Sequence, residues 1–511
     1  MGLACRDGGT VRVIFGLLAA AVMALAIWQL ESDRRGLEIS PLAVPGGTPA
    51  TLFVAPDAGP APVVVIAHGF AGSRQLMESF ALTLAQAGYV VASFDFEGHG
   101  RNPTAMSGDV TDPGGTTRLL MDETARVARA ALAHPRADGR LAYLGHSMAS
   151  DVVVRQALAE PPGDAVVAVS MFSGSVTAEA PENLLVIAGA WEARLAEEAL
   201  RAARQIDPNA EAFETIGTPG QGQARRAVIA PMVEHVGVLY SGTALREARD
   251  WLDASFGRDS ENPIALRGGW IVLLFAATVA LAFPLARSLP AGGVRLEPLS
   301  RGRFLVAALG PAGAVPLLLW PFELQILPVL VADYLALHLG LYGALTLILL
   351  GWWGRLEGQF PARIWWIAAS VGVFGILVLG GVLDRYVANF SAHPGRVAVI
   401  AGLALGAIPF MLGDAILTGG GADRVLRVML ARGAFLGSLM LAVALNFERL
   451  FFLVIILPVI VLFFLLFGMM AGWVGRHTGL PAAAGLGLGL VLAWALGVTF
   501  PMFDSEALVA G

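Results

Sequence analysis

The sequence predicts a protein in two parts: an α/β domain with a mostly parallel sheet and helices on both faces, and an all-α polytopic membrane domain. Three observations carry this. Of 511 residues, 56% are hydrophobic and only 14% are charged, whereas soluble domains average about a quarter charged. Apolar stretches long enough to cross a bilayer recur from residue 262 onward, after one near the start. Between them, residues 37–260 hold most of the charge, and short β-branched runs alternate there with segments of helical periodicity. The expected organisation is a transmembrane anchor over 1–36, an α/β domain over 37–260 and a membrane domain of about eight helices over 261–511.

The anchor is the run Val13 to Leu30, uninterrupted until Gln29. At about 1.5 Å per residue it spans roughly 27 Å, close to the hydrocarbon thickness. A cleaved signal peptide is the alternative, but no clear Ala-x-Ala site follows Trp28-Gln29-Leu30-Glu31.

The α/β domain has strand-like runs at Thr51–Val54, Val63–Ala67, Val90–Phe94, Leu141–Leu144, Val166–Met171, Leu184–Ala188 and Ala227–Ile229. Helical periodicity falls between most of them, at Gln75–Ala87, Arg118–Ala133, Asp151–Ala159, Arg194–Gln205 and Ala244–Phe256. In such sheets the reactive residues sit in turns at the carboxyl ends of strands.

The fourth of those turns reads Gly145-His146-Ser147-Met148-Ala149. A serine in a sharp strand-to-helix turn, with small residues two before and two after, is the nucleophile-elbow pattern. Serine needs an adjacent base, and with this elbow the chain order is Ser, then Asp or Glu, then His. The histidines stand at 68, 99, 134, 146, 235, 338, 393 and 477. Only His235 follows Ser147 inside the α/β domain. The acid belongs at the end of the penultimate strand, where Glu192 occupies the turn after Leu184–Ala188. A carboxylate there fixes the imidazole tautomer and stabilises the imidazolium. The alternative for Glu192 is a helix N-terminal glutamate favoured by the dipole; Glu179 and Glu182 are the reserve acids.

The domain resembles an α/β-hydrolase, close to the branch of serine aminopeptidases, monoacylglycerol lipases and dienelactone-hydrolase-like esterases. His68-Gly69-Phe70, Phe94-Asp95-Phe96-Glu97-Gly98-His99-Gly100-Arg101, the elbow at Ser147 and His235-Val236-Gly237 carry the likeness over about 220 residues. The resemblance implies an oxyanion hole from the backbone N–H groups of Phe70 and Met148. It also implies structural, turn-building roles for His68, Asp95 and His99. Ala149 in place of the second glycine, and Glu rather than Asp as the acid, depart from the commoner pattern. Many relatives insert a helical cap after the strand ending near Met171. Only about ten residues, Ser173 to Asn183, are available here, so an open site is expected.

In the membrane domain, apolar stretches recur at about 270–286, 304–322, 325–350, 364–383, 397–417, 430–447, 450–472 and 481–502. Arg287, Arg295, Arg301, Arg303, Arg355, Arg363, Arg424, Arg427, Arg432 and Arg476 lie on one set of alternate loops; Arg267, Arg385, Arg396 and Arg449 lie on the other. Ten against four puts the first set in the cytoplasm and the α/β domain outside. Arginines flanking the first helix (Arg6 and Arg12 against Arg34 and Arg35) give no net preference. Asp333 and His338 sit deepest among the membrane-domain ionisables and mark a candidate polar cavity.

Composition removes several function classes. None of the 34 basic residues is lysine, so a phosphate-binding loop ending in Gly-Lys-Ser/Thr is impossible. Net charge is −6, with no basic excess for nucleic acid. Cys5 is the one cysteine, so no internal disulfide or cysteine-based metal cluster exists. No metal or cofactor is expected. The Ala-, Gly- and Arg-rich usage points to a bacterial genome, and hence to an inner-membrane protein with a periplasmic α/β domain.

The expected function is a membrane-anchored serine hydrolase cleaving an ester, thioester or amide of a lipophilic acyl substrate through Ser147, His235 and Glu192. Acyl transfer by the same triad is one alternative. A non-catalytic sensor or transporter with a hydrolase-like domain is another. Partners are a small-molecule or lipid acyl substrate and the membrane; the oligomeric state is open.

Overall fold

A computed structural model describes residues 4–56, 59–107, 113–293, 296–421 and 423–504, with only the backbone at 4–8 and 113. Arg295 and the side chains of Cys5 and Arg6 lie outside the described residues. The chain divides into two compact units. One holds Leu273–Leu383 and Ala392–Phe500 with the chain up to Leu25; the other holds Ala26–Val272, Asp384–Ser391 and the chain from Pro501.

The second unit is built on nine strands: β1 (Glu38–Leu42), β2 (Ala50–Val54), β3 (Ala61–Ala67), β4 (Val90–Phe94), β5 (Ala137–His146), β6 (Ala165–Val169), β7 (Leu184–Gly189), β8 (Thr215–Ile216) and β9 (Arg225–Ala230). Their order in the sheet is β1-β2-β4-β3-β5-β6-β7-β9-β8. From β4 through β9 neighbouring strands run parallel, while β1, β2 and β8 pair antiparallel at the edges. A parallel sheet must be covered on both faces, which makes its strands continuous apolar runs. β3, β4, β6 and β7 are accordingly buried at every position.

Helix α1 (Ala4–Ser32) precedes the sheet; α2 (Glu78–Gln86), α3 (Arg118–Leu132), α4 (Met148–Gln156), α5 (Ala193–Arg204) and α6 (Gly242–Phe256) lie between or after strands. Alternate residues of a strand face opposite sides. Val64 and Ile66 of β3 therefore join Phe80 and Leu84 of α2 and Leu245 and Trp251 of α6 in one core. Each such side chain contributes about 1.5–3 kcal/mol on full burial. Helix α3 turns Leu120, Thr124, Val127 and Ala131 inward at helical spacing, and α3 and α4 pack together with β3 and β5. Ser241 caps the start of α6, and Gly257 ends it in the left-handed conformation (φ 62°).

Two features depart from the sequence reading. The sheet gains β1 and β8 at its edges. β1 reads Glu-Ile-Ser-Pro-Leu, and a proline is tolerated only where no partner needs its missing N–H, as on an edge. The run Val166–Met171 stops as a strand at Val169, because Ser170 takes a positive φ of 52° and turns the chain. No helix interrupts the chain between β6 and β7.

Among the described residues nine helices are long and apolar enough to cross a membrane: Gly9–Ser32, Gly268–Ala286, Arg301–Leu319, Ala332–Trp352, Ile364–Tyr386, Pro394–Leu417, Val425–Leu445, Phe452–Thr478 and Pro481–Thr499. Gly343 and Gly406 lie where Ala332–Trp352 and Pro394–Leu417 meet backbone to backbone, leaving no room for a side chain. Asp333 and His338, the deepest ionisable pair in the sequence, are engaged separately. The Asp333 carboxylate accepts the amides of Ile326 (3.1 Å) and Leu327 (3.0 Å) and so holds the loop before its helix. This starts the helix at Ala332 rather than near 325. His338 is buried beside the rings of Tyr334, Tyr342 and Phe435, 3.0 Å from the Ser438 hydroxyl.

Candidate active site

Strand β5 ends at His146, and the chain turns straight into α4. Ser147 sits in that turn with φ 54° and ψ −119°, a strained conformation for a residue with a Cβ. Its amide bonds to the carbonyl of Val169 (2.9 Å), and its own carbonyl accepts from the Ser150 amide (2.9 Å). The tightness explains Gly145: a methyl there would lie 2.5 Å from the Ala149 carbonyl oxygen. Ala149 itself is fully buried, its methyl accommodated where the commoner pattern has glycine.

Strands β5, β7 and β9 are brought close by the sheet order, and their carboxyl-end turns deliver Ser147, Glu192 and His235 to one place. His235 Nε2 lies 2.8 Å from Ser147 Oγ, and its Nδ1 lies 2.5 Å from Glu192 Oε1. These partners assign the neutral tautomer: Nδ1–H donates to the carboxylate and Nε2 accepts from the hydroxyl. Among the described residues the carboxylate partner of His235 is Glu192, and neither Glu179 nor Glu182 hydrogen-bonds or ion-pairs with it.

Glu192 is held as firmly as it holds. Its second oxygen accepts the Gly189 amide (2.7 Å) and the Ser170 hydroxyl (2.8 Å). Burial by itself pushes the carboxyl up, but the bonds from His235, Gly189 and Ser170 outweigh it and leave it below the usual carboxylate range. The positive φ that ends β6 is what turns Ser170 toward Glu192.

His235 is positioned from two sides. Glu234 accepts the amides of Val236 (2.7 Å) and Gly237 (2.8 Å), fixing the turn that follows. The His235 carbonyl accepts from Nε2 of His146 (2.8 Å), whose ring lies 4.8 Å from the His235 ring. Burial pushes His146 down to about 3, so it stays neutral and donates only from Nε2. Sequence reasoning passed over Ser170 and His146; the one available signal was that His146 directly precedes Ser147 in the elbow.

The loop carrying Phe70 lies against Ser147. A methyl on Gly69 would stand 2.9 Å from Ser147 Cβ. Met148 is the first residue of α4, where the amides have no partner within the helix. The loop is braced from behind: His68 Nε2 accepts the Phe96 amide (3.2 Å) and its Nδ1–H donates to the Gly69 carbonyl (2.8 Å). Asp95 accepts the amides of Arg74 (2.8 Å) and Arg101 (3.1 Å), while His99 packs edge-on to Phe70.

Residues 58–211 match the family model described as serine aminopeptidase, S33. That segment contains the sheet from β3 through β7, the Gly69–Phe70 loop, the elbow at Ser147 and Glu192. The domain has the α/β-hydrolase fold. The hydrolase domain is similar to several solved structures. They include a dienelactone hydrolase from Anabaena variabilis (18% identity, 44% of this chain and 98% of that one, TM-score 0.32). A bacterial membrane phospholipase A (14% identity, 50% and 96%, TM-score 0.31) and a hormone-sensitive lipase from a metagenome library (15% identity, 49% and 98%, TM-score 0.31) are others. Among curated proteins nothing matches. The chain carries an enzyme domain of the α/β-hydrolase type, and the helices at 268–499 lie outside the matched segment.

Proposed function

We propose that the protein is a membrane-anchored serine hydrolase that cleaves an ester, thioester or amide of a lipophilic acyl compound through an acyl-enzyme. The continuous pair of hydrogen bonds from Ser147 through His235 to Glu192 carries this reading. Ser147 Oγ attacks the carbonyl carbon while His235 Nε2 takes its proton, and Glu192 stabilises the resulting imidazolium. The amides of Phe70 and Met148 take the developing oxyanion. His235 returns the proton to the leaving group; water, activated by the same imidazole, then releases the acid.

The lipophilic preference is supported by the rim. Phe172 (76% exposed), Trp191 (70%) and Met232 (78%) stand in the turns that carry Ser170, Glu192 and His235. With Val236 beside them, large apolar side chains surround the three turns, a concentration that marks an apolar ligand. Changing Phe172, Trp191 and Met232 together to serine is expected to lower kcat/KM for a dodecanoyl ester roughly tenfold relative to a butanoyl ester. An unchanged ratio would rule out the lipophilic assignment.

Anchoring and orientation rest on the helices. If each of the nine crosses the bilayer, the segments after the first, fifth and ninth emerge on one face. Those are the segments that form the hydrolase unit: Ala26–Val272, Asp384–Ser391 and the chain from Pro501. Asn389 Nδ2 donates to the Gly100 carbonyl (3.1 Å), and Met502 exchanges backbone hydrogen bonds with Gly98 and Met106 (2.9 and 2.8 Å). The loop arginines then assign that face to the periplasm. A fusion of alkaline phosphatase after Gly257 is expected to be active in intact bacteria. Activity only of a cytoplasmic reporter at the same site would reverse the orientation.

A further inference from the structure

A cavity in the hydrolase unit, of about 260 Å³, is lined by Arg34, Arg74, Gln75, Ser93, Arg101 and Arg385, with Glu78 and Asp384 at its wall. None of Ser147, Glu192, His235, Phe70 or Met148 lines it. Its volume falls just below the ~300–1,000 Å³ usual for drug-sized ligands. Four guanidinium groups converge on it from four separate segments: the end of α1, the turn after β3, the turn after β4 and the stretch 384–391.

The carboxylates near it are already engaged. Glu78 pairs with Arg34 and with Arg267 (3.1 Å). Asp384 accepts from Arg101 (2.5 Å) and from the Phe390 amide (2.8 Å). Glu31 accepts from Arg385 (2.6 Å) and Tyr386 (2.8 Å). The Asp95 oxygens are taken by backbone amides.

Arg74 is left over. Its side chain is only 18% exposed and approaches Asp95 no nearer than 3.8 Å, and its guanidinium makes no hydrogen bond among the described residues. Beside it the Ser93 hydroxyl, on a residue 1% exposed, and the buried Gln75 Oε1 have no partner. Buried polar groups are almost always satisfied, so two orphans beside a loosely paired guanidinium around one cavity call for a ligand. Burial lowers Arg34 to about 10, and the neighbouring charge of Arg385 acts in the same direction.

We propose that this cavity binds a phosphate group, held by the Arg74 guanidinium and the Ser93 hydroxyl, with a ligand hydroxyl donating to Gln75 Oε1. A phosphate offers several acceptor oxygens to the guanidinium fork, which suits arginine. Hydrogen phosphate carries the required O–H donor, as does a phosphoglycerol headgroup; a carboxylate does not. The same chemistry is thus available from free phosphate or from an anionic lipid.

The test is thermal unfolding of the full-length protein in non-ionic detergent. One arm adds potassium phosphate against chloride at equal ionic strength; the other adds phosphatidylglycerol against phosphatidylcholine. Either phosphate or phosphatidylglycerol is expected to raise Tm by roughly 2–4 °C in the wild type, and the arm that responds identifies the source. Arg74→Gln should abolish the shift and Ser93→Ala should at least halve it. The Ser93 hydroxyl has no partner to lose, so that variant decides the matter should Arg74→Gln not fold. No shift in either arm, or a shift of full size in the variants, would overturn the proposal.

Discussion

Replacing Ser147 by alanine is expected to lower kcat for an activated ester by roughly 10⁴–10⁶-fold, to a residue of activity owed to binding and the oxyanion donors. The loss should leave the fold intact. Ser147 adopts φ 54°, and alanine keeps the same Cβ, so the strain of the elbow does not change. The bonds that secure the turn use its backbone amide and carbonyl, which alanine retains. Circular dichroism and Tm should therefore match the wild type while turnover disappears. A variant that retained more than about a tenth of the wild-type rate would remove Ser147 from the chemistry.

The second large effect is expected at Glu192. Glu192→Gln keeps the shape and can still accept the Gly189 amide and the Ser170 hydroxyl at one end. At the other end an amide N–H facing Nδ1 favours the tautomer with its proton on Nε2, the atom that must accept from Ser147. It also cannot stabilise the imidazolium. A fall in kcat of about 10⁴-fold is expected from that combination. Glu192→Asp retains the charge but shortens the reach, so it should fall between the wild type and the amide. If Glu192→Gln and wild type turned over alike, the acid role would have to pass to another residue.

How far each feature was legible in the sequence follows from the range of the interaction behind it. β3 declares itself because a strand buried on both faces is a nearly continuous apolar run, and Val63–Val64–Val65–Ile66 shows it directly. The elbow is legible because Gly145 and Ser147 are local necessities of one turn. His235 followed from chain order alone. β1 was not legible, since Pro41 and two polar residues in five make a poor strand until an edge is available for them. Ser170 and His146 were not, because what matters is the partner across space: Ser170 reaches Glu192 twenty-two positions on, and His146 reaches the His235 carbonyl eighty-nine positions on. The partner of His338 was not legible for the same reason. A deep histidine reads as polar, but its hydroxyl partner Ser438 lies one hundred residues away.

The arginine-lined cavity is likewise assembled from distant parts of the chain. Arg34, Arg74, Arg101 and Arg385 are separated by up to several hundred positions, and nothing in their local sequence marks them as a group. Arg101 belongs to the turn that steadies the Gly69–Phe70 loop, through its amide on Asp95, and lines the cavity with its side chain. One short turn thus serves both the loop beside Ser147 and a charged recess.

A covalent inhibitor should land on the nucleophile of this domain. A fluorophosphonate bearing a long alkyl chain should phosphonylate the full-length protein once, and peptide mass spectrometry should place the adduct on Ser147. His235→Ala should slow the labelling by orders of magnitude without moving it. An adduct on any other residue, or a properly folded protein that takes no label, would contradict the claim that Ser147 is the nucleophile of this domain.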